Sequence, residues 1–460
     1  MHRLLVLLIV GCAAPTGSRE SRIFDTLAED NYAWSLRDPD LVRMKLRKMQ
    51  RGPYEWLRGT AALYWRDLTE PGAPRVATRF GSAAASRVLL VGDAHLENVG
   101  TFRASDGTMF VDWNDFDATG YGPFDADVRR LGASLAIVTE LGATGDDAFA
   151  RELASIAAAR YAAVIGELAD GTRIGTLELG ANKLFDDELE KAQERGDTNY
   201  ALDEVAPVAG GVRALALGDL EAVPTDGVLE DRLVDVDAEH AGWIDRAIAA
   251  WHAGKLDDAS ATVLLRARRI GSGVSSYAAY RYNVVLRGPT EAPGDDILVE
   301  LKETREGVII PGLPRLAVAE WTSPAARSVD TQQRLHARPD GDVLLGHAQV
   351  GGLSLKIRDR EAYQRGIDAE DLVELVVKNR DRLRDLAGHY GALLARAHGQ
   401  ALTADGVPGH SVIAPLLAGR EAAFADAIAD LALVDGARLR SDFELVKDRD
   451  LGSLVMTGSR

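Results

Sequence analysis

The chain has 460 residues, of which 46% are hydrophobic and 27% are charged, and it contains 45 glycines. This length and composition are typical of a folded protein with two or three domains and argue against extensive disorder. The formal net charge of −17 argues against nucleic-acid binding, because phosphate backbones are bound by clustered Lys and Arg.

The first residues have the features of an export signal. A basic start, Met1 to Arg3, is followed by an apolar run, Leu4 to Val10, and then by Cys12. The run is shorter than the about 20 residues needed to span a bilayer. It resembles a bacterial lipoprotein signal, so we expect residues 1–19 to be signal and tether, with Cys12 lipidated. The protein would then be anchored at the periplasmic side of the cell envelope. The protein would be cytoplasmic if these residues are not an export signal.

Cys12 is the one cysteine of the sequence, which excludes an internal disulfide. Beyond the tether, the sequence predicts helices between Glu20 and Glu70, interrupted at Pro53. An alanine-rich segment up to Ala169 predicts two packed helices separated by Gly142 to Gly145. The polar residues 170–211 predict loops and short helices, and Ile244 to His252 predicts another amphipathic helix.

The pattern changes after residue 260. Two alternating segments, Tyr280 to Leu286 and Ile297 to Lys302, predict antiparallel strands joined by a loop rich in Gly and Pro. Further strands are predicted at Val343 to Leu345 and Leu353 to Ile357. Helices are predicted at Ala325–Arg338, Asp371–His398, Glu421–Leu433 and Arg440–Val446. We therefore expect an α+β fold with a helical region (20–260), a sheet region (261–360) and a second helical region (361–460).

Acidic and amide side chains are concentrated after one short strand. Val88 to Val91 is an apolar run that ends at Gly92 and is followed by Asp93 and Asn98. A predicted hairpin, with its turn at Asp106-Gly107, returns Asp112 or Asp115 to the same end. Two carboxylates about 4 Å apart repel by about 4 kcal/mol at an effective dielectric constant of 20, and a divalent cation would remove this cost. Oxygen-only ligands favour Mg²⁺ or Mn²⁺. The alternative is that these residues are only turn and cap residues.

The sequence of this stretch resembles a bacterial protein family. Four segments carry the resemblance to domain-of-unknown-function family 2252: GDAHLEN from Gly92, VDWNDFD from Val111, GPF from Gly122 and DVRRLGASL from Asp127. More distantly, these segments resemble aminoglycoside-phosphotransferase-like kinases, whose pattern is H-G-D-x-H-x-x-N, a hairpin, I-D-F and D-L-A. This second resemblance implies a protein-kinase-like fold with two lobes.

The kinase resemblance assigns roles to several of these residues. Asp93 would orient or deprotonate the acceptor hydroxyl, and Asn98 would be a metal ligand. The second metal ligand would be Asp115 by counting back from Asp127, or Asp112 by strand geometry. His95 and Asp127 would support the loop. Val91 departs from the pattern, because the kinases have a histidine there.

A second segment could hold the phosphates of a nucleotide. The turn Gly271-Ser272-Gly273 lies between predicted strands, where backbone N–H groups can face phosphate oxygens. Lys302, at the end of its strand, would supply the lysine that kinases place on their third strand. An acid on the next helix should pair with Lys302; Asp330 is the first candidate and Glu320 the second.

The two segments occur in the reverse of the usual kinase order, because the glycine turn follows Asp93. The segment from Leu393 to Gly399 resembles the helix that normally leads into the H-G-D loop. The sequence therefore predicts a circularly permuted kinase-like fold.

The expected function is transfer of a phosphoryl or nucleotidyl group from ATP or a related nucleotide, with Mg²⁺ or Mn²⁺, to an unidentified hydroxyl acceptor, such as a small molecule. The alternative is a catalytically idle binding or scaffolding lipoprotein. A metallophosphoesterase is disfavoured because the sequence has no G-N-H segment.

Overall fold

The computed structural model describes residues 18–69, 78–218, 226–257, 259–306, 320–360 and 363–457. The predicted signal and Cys12 lie outside these residues. Within the described ranges, no helix combines the length and the apolar character needed to cross a membrane.

The chain begins with a helical layer and a pair of small sheets. The helices α1 to α4 span Arg19–Arg37, Pro39–Met49, Pro53–Gly59 and Ala61–Thr69. Proline occupies the first turn of α2 and of α3, where its missing N–H has no cost. Four short strands follow: β1 (Val88–Leu90), β2 (Val99–Arg103), β3 (Met109–Trp113) and β4 (Gly120–Gly122). Strand β1 pairs with β4, and β2 pairs with β3 as the predicted hairpin.

Helices from the middle and the end of the described chain form much of the main core behind these strands. They are α5 (Phe124–Gly142), α6 (Asp147–Ala169), α11 (Ala369–Lys378), α12 (Arg380–Gln400), α13 (Gly409–Leu417), α14 (Glu421–Val446) and α15 (Leu451–Thr457). Buried alanines such as Ala154 and Ala432 let α6 and α14 pack closely. The predicted break between α5 and α6 is confirmed. The tract predicted from Asp371 to His398 is divided at Asn379, which caps α12, and the two predicted terminal helices are one helix, α14.

Six of the remaining strands in the described residues form one antiparallel sheet. The intervening elements are α7 (Lys183–Asp197), α8 (Tyr200–Val205), β5 (Val208–Ala209), β6 (Val212–Arg213), β7 (Arg232–Val234), α9 (Ala238–Trp251), β8 (Val263–Ile270), β9 (Arg281–Leu286), β10 (Ile297–Glu303), α10 (Pro324–Leu335), β11 (Gly346–Val350) and β12 (Leu353–Asp359). The strand order in the sheet is β11-β12-β10-β9-β8-β7. The strand predicted at Val343 to Leu345 is wrong, because the chain turns there and β11 begins at Gly346.

The two faces of this sheet differ in chemistry. One face packs Tyr282, Leu301 and Ile357 against Ile248 and Trp251 of α9. On the other face, Leu298 and Val285 pack against α8 at one end of the strands, and charged residues occupy the other end. The strands are thus gathered mainly in one sheet beside a larger helical body, which confirms the α+β class.

Candidate functional site

The charged end of the sheet faces the loop after β1 across a cleft of about 230 Å³. One side, which we call the loop wall, consists of residues 93–98 and 114–117. The other side, the sheet wall, consists of residues 273–276 with Arg281, Lys302, Lys356 and Arg358. Two segments far apart in the sequence therefore line one cleft.

The turn into the loop wall depends on Gly92. Its φ is +86°, and a Cβ atom there would lie 2.1 Å from the carbonyl oxygen of Ala118. The Gly92 N–H donates to the Asp127 carboxylate at 3.0 Å. Asp127 lies in the first turn of α5 and also contacts His398 Nε2 at 3.1 Å. The supporting role predicted for Asp127 agrees with these contacts.

Asp93 is nearly buried, and Arg130 Nε donates to its carboxylate at 2.8 Å. Burial raises the pKa of Asp93 above its usual value, and the positive charge of Arg130 opposes this shift without cancelling it. Asn98 donates its side-chain N–H to the backbone carbonyl of Asp93 at 2.9 Å, so the two residues are held as one unit.

His95 is buried beside Asp93, with its Nε2 atom 3.8 Å from the carboxylate. Burial and the nearby charges of Arg58 and Arg130 hold the pKa of His95 well below its usual value. The ring is therefore neutral, and its edge packs against Tyr54 with the ring centroids 6.2 Å apart.

The hairpin delivers Asp115, and not Asp112, to the cleft. Asp112 is fully buried, where its carboxylate accepts hydrogen bonds from Arg396 and from the backbone N–H of Ala337 at 3.0 Å. These contacts hold it in the interior, so of these two candidate metal ligands only Asp115 lines the cleft. Burial raises the pKa of Asp115, but Lys302, the Asp117 N–H and two further cations outweigh it, and the pKa lies below its usual value.

Lys302 joins the two walls. Its Nζ atom lies 2.6 Å from Asp117 and 3.7 Å from Asp115. Of the glycine turn, Gly273 lines the cleft, whereas Gly271 packs against the backbone of Glu230 and accepts a hydrogen bond from Lys48 through its carbonyl. Neither Gly271 nor Ser272 is among the residues that line the cleft.

The prediction that an acidic residue of α10 pairs with Lys302 is wrong. Asp330 accepts a hydrogen bond from Trp321 at 2.7 Å and forms an ion pair with Arg334 at 2.9 Å. Glu320 pairs with Arg334 as well. The buried face of the helix carries Ser328 and Gln332 instead. The acidic partners of Lys302 are Asp117 and Asp115 of the loop wall.

Several residues of the cleft were not predicted from the sequence. Asp117 ends the same motif as Asp115 and belongs to the acidic groups expected at this strand end, but the sequence assigned it no role. Lys356 and Arg358 alternate with apolar residues along β12, which indicates a shared face. Arg281 lies directly across from Lys302 in the β9–β10 pair. No local pattern indicated Arg130, since it reaches Asp93 from the middle of a buried helix.

A larger cavity of about 590 Å³ adjoins the cleft at Asp93, Asn98, Asp115 and Asp117. Its other lining residues include Trp34 of α1, Arg66 of α4 and Arg305 beyond β10. Asp93 therefore lines both spaces.

The loop wall offers hard oxygen donors. Among the described residues, no three His, Cys, Asp or Glu side chains converge closely enough to form a metal site by themselves. The carboxylates of Asp115 and Asp117, together with the amide of Asn98, have the donor chemistry that Mg²⁺ prefers.

A family model described as "Uncharacterized protein conserved in bacteria (DUF2252)" matches residues 37–449. The chain belongs to the DUF2252 family. The matched range contains both walls of the cleft, so the resemblance to this family noted from the sequence is confirmed. Searches of curated proteins and of solved structures found no match to this DUF2252 chain.

Proposed function

We propose that this DUF2252 protein is a magnesium-dependent phosphotransferase with a permuted, kinase-like arrangement of two lobes. It would transfer a phosphoryl or nucleotidyl group from a nucleotide such as ATP to a hydroxyl acceptor. The observation that supports this proposal best is the shared cleft: Lys302 and Gly273 face Asp93, Asn98 and Asp115 across about 230 Å³. These are the positions that the kinase resemblance assigned to phosphate, acceptor and metal.

The contacts of α12 support the permuted order. Shortly after this helix ends at Gln400, the backbone N–H of Ala404 donates to the carbonyl of Arg87 at 2.9 Å. Arg87 directly precedes β1, the strand that leads to Asp93. The helix that resembles the one leading into the H-G-D loop thus ends beside the start of the strand that leads to that loop, although the two are distant in the sequence.

The proposed roles follow from the positions of the side chains. Asp93 has a raised pKa and lines both spaces, which suits a carboxylate that orients an acceptor hydroxyl and takes its proton. Asn98 and Asp115 would hold the magnesium ion, which neutralises phosphate charge when bound. Lys302 would bind the phosphates of the donor. Positioning and electrostatics would supply most of the rate enhancement.

One observation favours a catalytically idle binding protein as the second candidate. Asp93 is engaged by Arg130 at 2.8 Å, and Lys302 by Asp117 at 2.6 Å. Both groups would have to exchange or share these partners during a reaction.

Thermal unfolding with and without Mg–ATP tests the proposal. A ligand at 100 times its Kd adds about 2.7 kcal/mol of stability, so Mg–ATP should raise the Tm of the wild type. Asp115→Asn should abolish this shift. Asp93→Asn should keep the shift but lower ATP turnover by about 100-fold or more, as expected for loss of a general base.

Asp106→Asn is the matched control, because Asp106 is an exposed carboxylate at the turn of the same hairpin. This variant should retain both the shift and the turnover. No Tm shift with any Mg–nucleotide would contradict the phosphotransferase and favour the idle binding protein.

A further inference from the structure

Three cations form a row across the sheet wall. Lys302 of β10 lies directly across from Arg281 of β9 on one side and from Lys356 of β12 on the other. Side chains directly opposite one another in antiparallel strands have Cβ atoms about 4.5–5.5 Å apart, where like charges destabilise the sheet. All three residues line the cleft. The fold therefore places three positive charges side by side at one surface.

Of the three cations, Lys356 has the largest free-energy cost of burial. It is 5% exposed, and its Nζ atom donates to the neutral Gln332 side chain at 2.6 Å. Burial lowers its pKa to about 8, although Asp117 and Asp115 oppose the shift. Burying a lysine here does not stabilise the fold, so the presence of Lys356 is better explained by a ligand that binds it.

Arg281 connects this row to the glycine turn. Its guanidinium donates to Ser276 Oγ at 3.2 Å and contacts Glu300 at 3.3 Å. Glu300 is shared with three more arginines, at 2.7 Å, 3.4 Å and 3.9 Å. Glu300 is therefore shared by four guanidinium groups, one of which, Arg269, also pairs with Asp231, so the positive charge around Glu300 exceeds the negative charge. Arg281 can thus attract an anionic ligand in the cleft.

The opposite wall has the opposite sign, because Asp93, Asp115 and Asp117 face this row. A ligand that matches both walls presents a cation to the carboxylates and several anionic groups to the row. One phosphoryl group would need only part of the row, whereas a chain of phosphoryl groups can engage every member of it.

We infer that Lys356 and Arg281, together with Lys302, bind a phosphate chain of two or more phosphoryl groups that is carried with a divalent cation. This inference rests on the proposed function for the identity of the donor, and it adds two binding residues to it. The chain could belong to a nucleoside triphosphate or to inorganic polyphosphate, which present the same chemistry to the sheet wall.

Calorimetric titration of the full chain tests the inference. The ligands are phosphate, pyrophosphate, tripolyphosphate and ATP, each with Mg²⁺, and the affinity should rise with the length of the phosphate chain. Lys356→Gln and Arg281→Gln should each weaken tripolyphosphate binding by about tenfold or more, the usual effect of losing a charged hydrogen bond. Lys356→Arg, which keeps the charge, should bind more tightly than Lys356→Gln.

Lys378→Gln is the control, since this lysine is exposed on α11 and pairs only with Glu374 among the ion pairs of the described residues. Its affinity should equal that of the wild type. If Lys356→Gln does not fold, Arg281→Gln provides the same test. The inference is overturned if phosphate binds as tightly as tripolyphosphate, or if both glutamine variants stay within about twofold of the wild type.

The two proposals fail in different ways. Binding of tripolyphosphate that depends on Lys356, in a protein without ATP turnover, would contradict the phosphotransferase and support the phosphate-chain site. ATP turnover by the wild type, together with an unchanged affinity for tripolyphosphate in Lys356→Gln and Arg281→Gln, would support the phosphotransferase and contradict the phosphate-chain site. Tighter binding of ATP than of tripolyphosphate would identify a nucleotide as the source of the chain.

Discussion

The two walls of the cleft are held in place by different forces. The loop wall is fixed by close packing and by a hydrogen bond to α5, because Gly92, which precedes it, packs against the Ala118 backbone and donates its N–H to Asp127. The sheet wall is held by charge, because its Arg281 and Arg358 share the buried carboxylate of Glu300. We therefore expect a steric change to destabilise the loop wall most, and a change of charge to destabilise the sheet wall most.

The largest effect is expected from removing the carboxylate that holds the arginines of the sheet wall. Glu300→Gln leaves four arginines without their shared carboxylate, so the free energy of unfolding should fall by about 3–5 kcal/mol. The arginines hold the pKa of Glu300 well below its usual value although burial opposes them. The stabilisation is therefore present above the ordinary glutamate pKa and is lost as the pH falls through the lower folded-state pKa.

Urea denaturation measures this change. The matched control is Glu374→Gln, because Glu374 and Lys378 form an exposed pair at 2.7 Å that should contribute less than about 1 kcal/mol. Equal losses in the two variants would show that charge does not hold the sheet wall.

The second effect concerns the loop wall. Gly92→Ala forces an alanine into φ +86° and against a carbonyl oxygen, which should cost about 3 kcal/mol or more. Gly273→Ala on the sheet wall has a similar φ of +75°, but its Cβ would meet only the ends of two side chains, Ser276 Oγ at 3.1 Å and Arg281 Nη2 at 4.0 Å. We expect a loss of about 1 kcal/mol there.

Gly107→Ala separates the two contributions, because Gly107 has a φ of +89° and its added Cβ would meet only the end of Arg103 at 3.8 Å. Its loss should resemble that of Gly273→Ala. Chemical denaturation of the three variants gives the comparison, and a Gly92→Ala variant as stable as Gly107→Ala would mean that packing does not fix the loop wall.

The smallest effect is expected from Lys356→Met. Between the folded-state pKa of about 8 and the ordinary lysine pKa of 10.5, the unfolded chain holds a proton that the folded protein has released. The contribution of Lys356 to stability therefore rises with pH in this window. Removing Lys356 should relieve a cost of up to about 3 kcal/mol below pH 8, partly offset by the unpaired Gln332.

The expected result is a variant that is about 1 kcal/mol more stable than the wild type at pH 7 and less stable near pH 10. Denaturation at several pH values measures the difference between the two proteins. A difference that does not change with pH would show that Lys356 is not buried as a charge.

The features that could be predicted from the sequence are local ones. The loop after β1, the hairpin and Lys302 at the end of β10 follow from short patterns of apolar alternation and turn residues. The choice between Asp112 and Asp115 could not be made in this way, because it depends on Arg396, which lies 284 residues from Asp112. The predicted pair of Asp330 with Lys302 does not form, because packing rather than charge determines which face of α10 lies against the sheet.

The contact between Asp112 and Arg396 also has a consequence for biosynthesis. A ribosome adds about 5–20 residues per second, so roughly 15–60 s separate the synthesis of these two residues. During that interval the newly made hairpin has a carboxylate ready for burial but no guanidinium to receive it. The nascent chain must therefore leave this carboxylate open to water until α12 has left the ribosome, so the hairpin behind the loop wall is fully packed only late in translation.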